Sequence, residues 1–321
     1  MKIKTTIYIS CLIVLMHCGK EELLTKKLSP FNKICCLQDS IFWRSVEALE
    51  YKNGIIYISD IFNNRILCYN EKENKVISLG RAGKGPGEFV YSSCTYINNN
   101  KIYAASLKEH KLNIYSLVNL KFIKKVKIPT RFIGLSRFAI DNLEYCYTTA
   151  YKGNKPILKV NINNTHDSTT LGSYELKNEK SGQIRSERHI FIYKNNIISL
   201  PKFSSLVKKY NQNGILISEL DLSEKNNHIR DLIQKNKKNR NNNIRSRKIL
   251  FIDAYLSGKK LYIVSKKNMI DVINIEDDLE LMKKIILDKK IVLKSICVSN
   301  NNILLAHCAR SNCIYFYNLN Y

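Results

Sequence analysis

Tyr51-Lys52-Asn53-Gly54-Ile55-Ile56-Tyr57-Ile58-Ser59-Asp60 reads as the turn and second strand of a β-hairpin. Asn-Gly favours a two-residue turn in which both central residues take positive φ. The β-branched and aromatic residues after it fit a half-buried strand. The signal returns at Ile97-Asn98-Asn99-Asn100, Asp141-Asn142, Tyr193-Lys194-Asn195-Asn196, Leu256-Ser257-Gly258-Lys259 and Ser299-Asn300-Asn301-Asn302. Successive copies lie roughly 43 to 63 residues apart, which brackets a four-stranded propeller blade and exceeds an ankyrin or leucine-rich repeat. Six turns predict an all-β, six-bladed β-propeller of four-stranded antiparallel blades over residues 31–321.

Working outward from the first hairpin, strand runs continue blade by blade. They fall at residues 45–51, 55–59, 65–69 and 75–79, then 93–97, 101–105, 112–116 and 122–128. Blades three to five follow at 137–140, 144–148, 157–161 and 168–173; 189–193, 196–200, 205–210 and 215–220; and 250–255, 260–264, 269–274 and 279–287. The last blade has only 295–299, 303–307 and 313–319, while residues 34–38 form a strand with no earlier partner. Pairing 34–38 beside 313–319 completes the sixth blade and closes the ring, leaving no open edge between first and last blades. One segment breaks the rhythm. Residues 223–248 lack apolar alternation, carry nine basic residues against two acidic ones, and suggest a short helix around 227–236.

The N-terminus reads as an export signal: Lys2 and Lys4, then an apolar run over residues 7–16 that is too short for a permanent membrane span. Leu15-Met16-His17-Cys18 resembles the bacterial lipobox, although a small residue is usual where His17 stands. The expectation is a signal peptide at 1–17, a lipidated Cys18 and a linker at 18–30. Lys20-Glu21-Glu22 looks like the signal that sends some Gram-negative lipoproteins to the outer face of the outer membrane.

The 52 basic and 27 acidic residues give a formal charge of +25, and loss of Lys2 and Lys4 with the signal lowers it to +23. Such a field favours anionic partners; abundant Lys, Asn, Ile and Tyr are also what an AT-rich coding sequence produces. Of ten cysteines, Cys68, Cys94, Cys146 and Cys297 lie inside apolar runs, where a thiol packs as a small hydrophobe. Cys308 and Cys313 flank Ala309-Arg310-Ser311-Asn312 and can face each other across a hairpin as a disulfide; alternatively Cys35 or Cys36 approaches the Cys313 strand.

Asn53-Gly54 through Asp60, then Asn64-Arg65-Ile66 and Gly80-Arg81-Ala82-Gly83-Lys84-Gly85-Pro86-Gly87-Glu88-Phe89, resemble the NHL repeat. The chain is similar to the six-bladed, NHL-like β-propeller lipoproteins of Gram-negative envelopes, in which a loop of this glycine-rich type follows the fourth strand of a blade. The resemblance is sharp over residues 53–89, and blade count and signal extend it loosely along the chain. Later blades repeat neither the Asp at the place of Asp60 nor the glycine-rich exit. That exit lacks the Lys-Ser/Thr and following helix of a P-loop, so it reads as a crossing between blades and not as a phosphate site. Asp60 and Arg65 read as a brace across the hairpin.

The histidines are scattered, and no H-x-E, C-x-x-C or H-E-x-x-H spacing, nucleophile elbow or paired-carboxylate pattern stands out. No metal or other cofactor is expected. Charge gathers instead in the loops that open on one side of a propeller: Arg65, Arg81, Lys84, Arg131, Arg137, Lys152, Arg185, Arg188, Lys202, Lys266 and Arg310, with Lys235, Lys237, Lys238 and Arg240 in the insertion. The expected function is a non-catalytic, envelope-anchored propeller whose basic face binds an acidic glycan, a lipopolysaccharide head group or an acidic protein. Its rivals are a lyase or hydrolase at the central channel, which needs ionisable groups converging on the axis, and a structural subunit with a large apolar patch. Export argues against RNA as a partner.

Overall fold

In the computed structural model, which describes residues 23–37, 41–129, 136–150, 154–174, 187–241 and 248–320, the hairpin signals become the inner turns of six blades. Asn53 and Gly54 take φ of 51° and 79°, as a twisted two-residue turn requires.

Two short strands come first, β1 (Leu24–Lys27) and β2 (Asn32–Ile34). Blade one is β3 (Val46–Lys52), β4 (Ile55–Asp60), β5 (Arg65–Asn70) and β6 (Lys75–Leu79). Blade two is β7 (Ser92–Asn98), β8 (Lys101–Ser106), β9 (Lys111–Ser116) and β10 (Phe122–Lys127). Blade three is β11 (Ala139–Ile140), β12 (Tyr145–Thr149), β13 (Ile157–Asn161) and β14 (Ser168–Leu171), and blade four is β15 (Arg188–Tyr193), β16 (Asn196–Pro201), β17 (Leu206–Asn211) and β18 (Leu216–Asp221). Helices α1 (Leu222–Lys225) and α2 (Asn227–Asn241) precede blade five, formed by β19 (Ala254–Ser257), β20 (Lys260–Lys266), β21 (Met269–Asn274) and β22 (Glu280–Ile286). Blade six is β23 (Leu293–Val298), β24 (Ile303–Cys308) and β25 (Cys313–Asn318).

Within every blade consecutive strands pair antiparallel, and the first strands of neighbouring blades meet at the axis, β23 on β3 and β3 on β7. Strand alternation then sorts the connections. Turns after first and third strands lie at one end, here the turn face; loops after second strands and between blades lie at the other, the loop face. The largest apolar cluster joins blades five, six and one around Trp43, which is 1% exposed.

The N-terminal strand closes blade six, but it starts two residues and ends four residues earlier than the sequence suggests. Asn32, Lys33 and Ile34 pair antiparallel with Phe316, Tyr315 and Ile314. Cys35, bonded to Cys313, continues that register by one step, and the chain then turns back, Leu37 bridging to Ile41. Of the two pairings the sequence leaves open, the Cys308–Cys313 bridge is therefore corrected and the approach of Cys35 to the Cys313 strand is the one formed. These two residues do sit opposite each other in the β24–β25 ladder, yet Cys313 is spent on Cys35 and Cys308 is free and buried. Trp43 fixes the same seam, its Nε1 donating to the Asn312 carbonyl at 2.8 Å while Asn312 Nδ2 donates to the Trp43 carbonyl at 3.0 Å.

The stretch expected to be linker holds a strand. β1 lies parallel to β22, giving blade five a fifth strand. The signal peptide and Cys18 lie outside the described residues. The helix suggested at 227–236 runs to Asn241. Buried Asn226 starts it, accepting from the Ile229 N–H at 3.4 Å and donating to Asp271 of β21 at 2.9 Å.

Candidate functional site

On the loop face, several nominated cations are already neutralised. Asp60, fully buried, accepts from Arg65 Nε at 3.2 Å, from Asn63 at 2.7 Å and from the backbone N–H groups of Arg44 and Ser45 at 3.0 and 3.2 Å. Asp60 and Arg65 thus brace the point where the chain enters blade one. Arg81 pairs with Glu88 at 2.8 Å, and the other Glu88 oxygen accepts from the Gly85 N–H at 2.8 Å, so the glycine-rich loop closes on its own carboxylate. Its sequence is steric in origin. Gly80 has φ of 75°, and a Cβ there would lie 2.3 Å from the buried Phe89 ring. Lys202 is 4% exposed and lies 3.7 Å from Glu187.

The remaining cations differ. Lys84, Lys266 and Arg310 are exposed, as are Lys235, Lys237 and Lys238 on α2, and none has an ion pair among the described residues. Arg131, Lys152 and Arg185 lie outside the described residues, Arg188 is buried at the start of β15, and Arg240 falls in the last turn of α2. α2 docks through buried Ile229 with Leu232 and Ile233, an i, i+3, i+4 face, which leaves its lysines outward. Burial and then Lys266, with Lys235 adding to it, hold His228 below the usual imidazole range against the opposing pull of Asp231. The helix and the blade-five loop therefore share one positive field.

At the axis one of the expected loop-face cations turns inward instead, and the partners it meets there are ones the sequence did not announce. Arg137, just before β11, is 4% exposed and crosses the channel to Asp253, with Nε on Oδ1 and Nη2 on Oδ2, both at 2.8 Å. Nη1 reaches Glu50 at 2.5 Å, and the carbonyls of Leu49 and Ile296 take the remaining donors at 3.3 and 2.9 Å. Asp253 also accepts from Ser295 Oγ at 2.9 Å and the Ile296 N–H at 3.0 Å. Residues from blades one, three, five and six are thereby tied at one point. Burial, outweighing Arg137, pushes Glu50 up to about 7, whereas Arg137 holds Asp253 below the usual carboxylate range despite its burial. His189 is fully buried, accepts from the Arg137 N–H at 3.3 Å and is pushed down to about 3 by burial and by Lys202.

Toward the loop face, Glu47 and Lys294 sit where the β3–β4 and β23–β24 registers shift, and they pair at 3.0 Å. Irregular pairing re-aims both side chains inward. Toward the turn face the channel opens into a cavity of about 370 Å³ with Glu50 and Arg137 among its lining and Tyr51, Tyr96, Tyr193 and Tyr255 around them. Ionisable groups thus converge on the axis, but Arg137 and Asp253 are engaged with each other and with Leu49, Ser295 and Ile296, which leaves Glu50 as the carboxylate of the cluster that lines the cavity. Glu47 and Glu50 within an otherwise apolar inner strand were the available signal. His307, beside Cys308, is buried with a ring nitrogen 3.1 Å from Asn312. Among the described residues no His, Cys, Asp and Glu group is arranged to hold a metal, and no helix is long and apolar enough to cross a membrane.

A family model described as a 6-bladed beta-propeller matches residues 37–285. No curated protein matches the chain. Among solved structures, a protein from Bacteroides fragilis NCTC 9343 described as exported is 15% identical with a TM-score of 0.55, covering 88% of this chain and 87% of that one. The β-propeller domain of Myceliophteria thermophila Cps50 (Swd1) is 10% identical with a TM-score of 0.55, covering 91% and 99%. U3-55K is 11% identical with a TM-score of 0.53, covering 86% and 95%. At these identities the likeness is one of fold.

Proposed function

The chain belongs to that six-bladed β-propeller family, and on this premise we propose that it is a non-catalytic binding protein of the cell envelope that holds an anionic ligand against its loop face. One observation carries the reading: Lys235, Lys237 and Lys238 are exposed on α2 without ion pairs among the described residues, and Lys235 and Lys266 act together on His228, on a face where other nominated cations are paired. A helix that docks by three apolar residues and spends its lysines on solvent is suited to gather a polyanion such as an acidic glycan, a lipopolysaccharide head group or an acidic protein surface. Anchoring through Cys18 belongs to the same proposal. The Cys35–Cys313 bond supports it, because disulfides persist in oxidising compartments outside the cytosol.

The test replaces Lys235, Lys237 and Lys238 together with Ser and compares heparin and lipopolysaccharide retention with a triple change of Lys72, Lys75 and Lys121. Those three are exposed at the other end of blades one and two. Exposed charges are screened over about 8 Å at physiological ionic strength, so retention should fall steeply with salt and much further in the α2 variant. Equal losses would mean the basicity is spread evenly over the surface and the site does not exist.

A further inference from the structure

We infer that the axial pocket on the turn face binds an organic cation, a protonated or quaternary amine whose charged nitrogen rests on Glu50 among the rings of Tyr51, Tyr96, Tyr193 and Tyr255. The pocket lies at the opposite end of the channel from the basic loops. Its volume of about 370 Å³ is within the ordinary range for small-molecule sites.

Charge decides the class of ligand. An arginine in a pocket usually suggests an anion, but Arg137 has no donor to give. Its five N–H groups are directed to Asp253 twice, to Glu50 and to the carbonyls of Leu49 and Ile296. Two carboxylates face one guanidinium, so the ionised cluster carries one uncompensated negative charge. Asp253 is 6% exposed and enclosed by Arg137, Ser295 and the Ile296 N–H, whereas the Glu50 side chain is 13% exposed and lines the cavity. The surplus is therefore presented at Glu50. Aromatic rings around a carboxylate favour a cation wherever a face is presented to it, through the ring quadrupole, an effect that grows once water is excluded. Lys52 and Lys194 stand at the mouth in solvent; Lys194 is 3.7 Å from Glu276 and 5.3 Å from the centre of the Tyr193 ring. The Arg137 guanidinium lies 5.4 Å from the centre of the Tyr255 ring, so a ligand cation shares the Tyr193 and Tyr255 rings with protein cations and has Tyr51 and Tyr96 to itself.

Proton linkage follows from the same geometry. Burial pushes Glu50 up to about 7. The charged and titratable groups acting on it are Arg137, Asp253 and Tyr255, while Tyr96 and Cys297 in turn feel its charge from blades two and six. A cation selects the ionised carboxylate, so affinity should rise as pH rises through about 7 and level off above it. Below that point it should fall by up to tenfold per pH unit.

Isothermal titration with choline, glycine betaine and the neutral choline isostere 3,3-dimethyl-1-butanol tests this on the full mature chain. Choline should bind at pH 8 at least about tenfold more tightly than the isostere, with the advantage reduced at pH 6. Glu50→Gln should remove that advantage, and Tyr193→Leu, which leaves the charge cluster intact, should weaken choline several-fold. Betaine separates two forms of the same site: tighter binding than choline assigns Lys52 and Lys194 to a ligand carboxylate, and weaker binding assigns the pocket to simple amines. Equal affinity for choline and its isostere, no binding of either cation at millimolar concentration, or a pH-independent affinity would each overturn the inference. The comparison of choline with its isostere uses the wild-type protein, so it stands even if a variant fails to fold.

Discussion

Replacing Arg137 with Met would remove the cation that ties four blades at the axis. It would leave Asp253 and Glu50, 6% and 13% exposed, without their countercharge, and free the carbonyls of Leu49 and Ile296. Breaking a buried pair by deleting one partner costs about 3–5 kcal/mol. For a chain of this size that corresponds to a fall in Tm of roughly 5–8 °C. The pH dependence has a definite sign. Asp253 is depressed in the folded protein, so its stabilisation is present above its unfolded pKa and is lost as pH falls through the folded value. Glu50 is raised to about 7, so stability from its protonated form is complete below its unfolded pKa and is lost as pH rises through about 7. Without Arg137 both carboxyls are pushed further up, so the variant should be costliest at pH 8 and least affected near pH 5. Urea unfolding followed by Trp43, the sole tryptophan and a core residue, reads the difference directly. A cost under about 1 kcal/mol at pH 8, or a larger cost at pH 5 than at pH 8, would refute the view that this guanidinium organises the axis.

Peptide mapping under non-reducing conditions should recover Cys35 linked to Cys313, with Cys308 alkylated only after unfolding, and Cys35→Ser should cost about 2–5 kcal/mol. A recovered Cys308–Cys313 peptide would contradict the closure seam. Cys18→Ala should leave the chain unprocessed or release it from membranes, and mass spectrometry of the native N-terminus should find a diacylated cysteine; an unmodified terminus elsewhere would remove the anchor from the proposal.

The fold was legible because its signals are local. An Asn-rich turn and the alternating residues on either side of it need no distant partner to be read, and Asp60 with Arg65, five residues apart, could be paired from the sequence. The closing strand was placed late because the apolar run from Ile34 to Leu37 looks like a continuous strand, whereas its second half turns back through the Leu37–Ile41 bridge. β1 was missed since Leu24-Thr25-Lys26-Lys27 has neither the length nor the pattern of a strand and forms only by lying along β22. The axial cluster was illegible for a different reason. Arg137 meets residues 87 and 116 positions away, and such partners become neighbours only when the ring is closed. Lys202 was nominated as a surface cation because linear position shows no burial; its loop folds inward under Leu250, whose N–H donates to the Lys202 carbonyl at 2.8 Å.

The fifth strand of blade five sets the length of a leash. With Cys18 acylated as proposed, only a few residues separate the lipid from Leu24, where the chain is locked alongside Lys283. That span is at most about 20 Å when fully extended. A linker running to residue 30 would let the propeller tumble freely above a bilayer; this one would keep the outer edge of blade five close to the head groups. β1 starts opposite Lys283, midway along β22, and runs to Ile286 at its loop end, so the outer edge of blade five, and neither mouth of the channel, would lie nearest the membrane. The molecule would be oriented by its tether before it met any ligand.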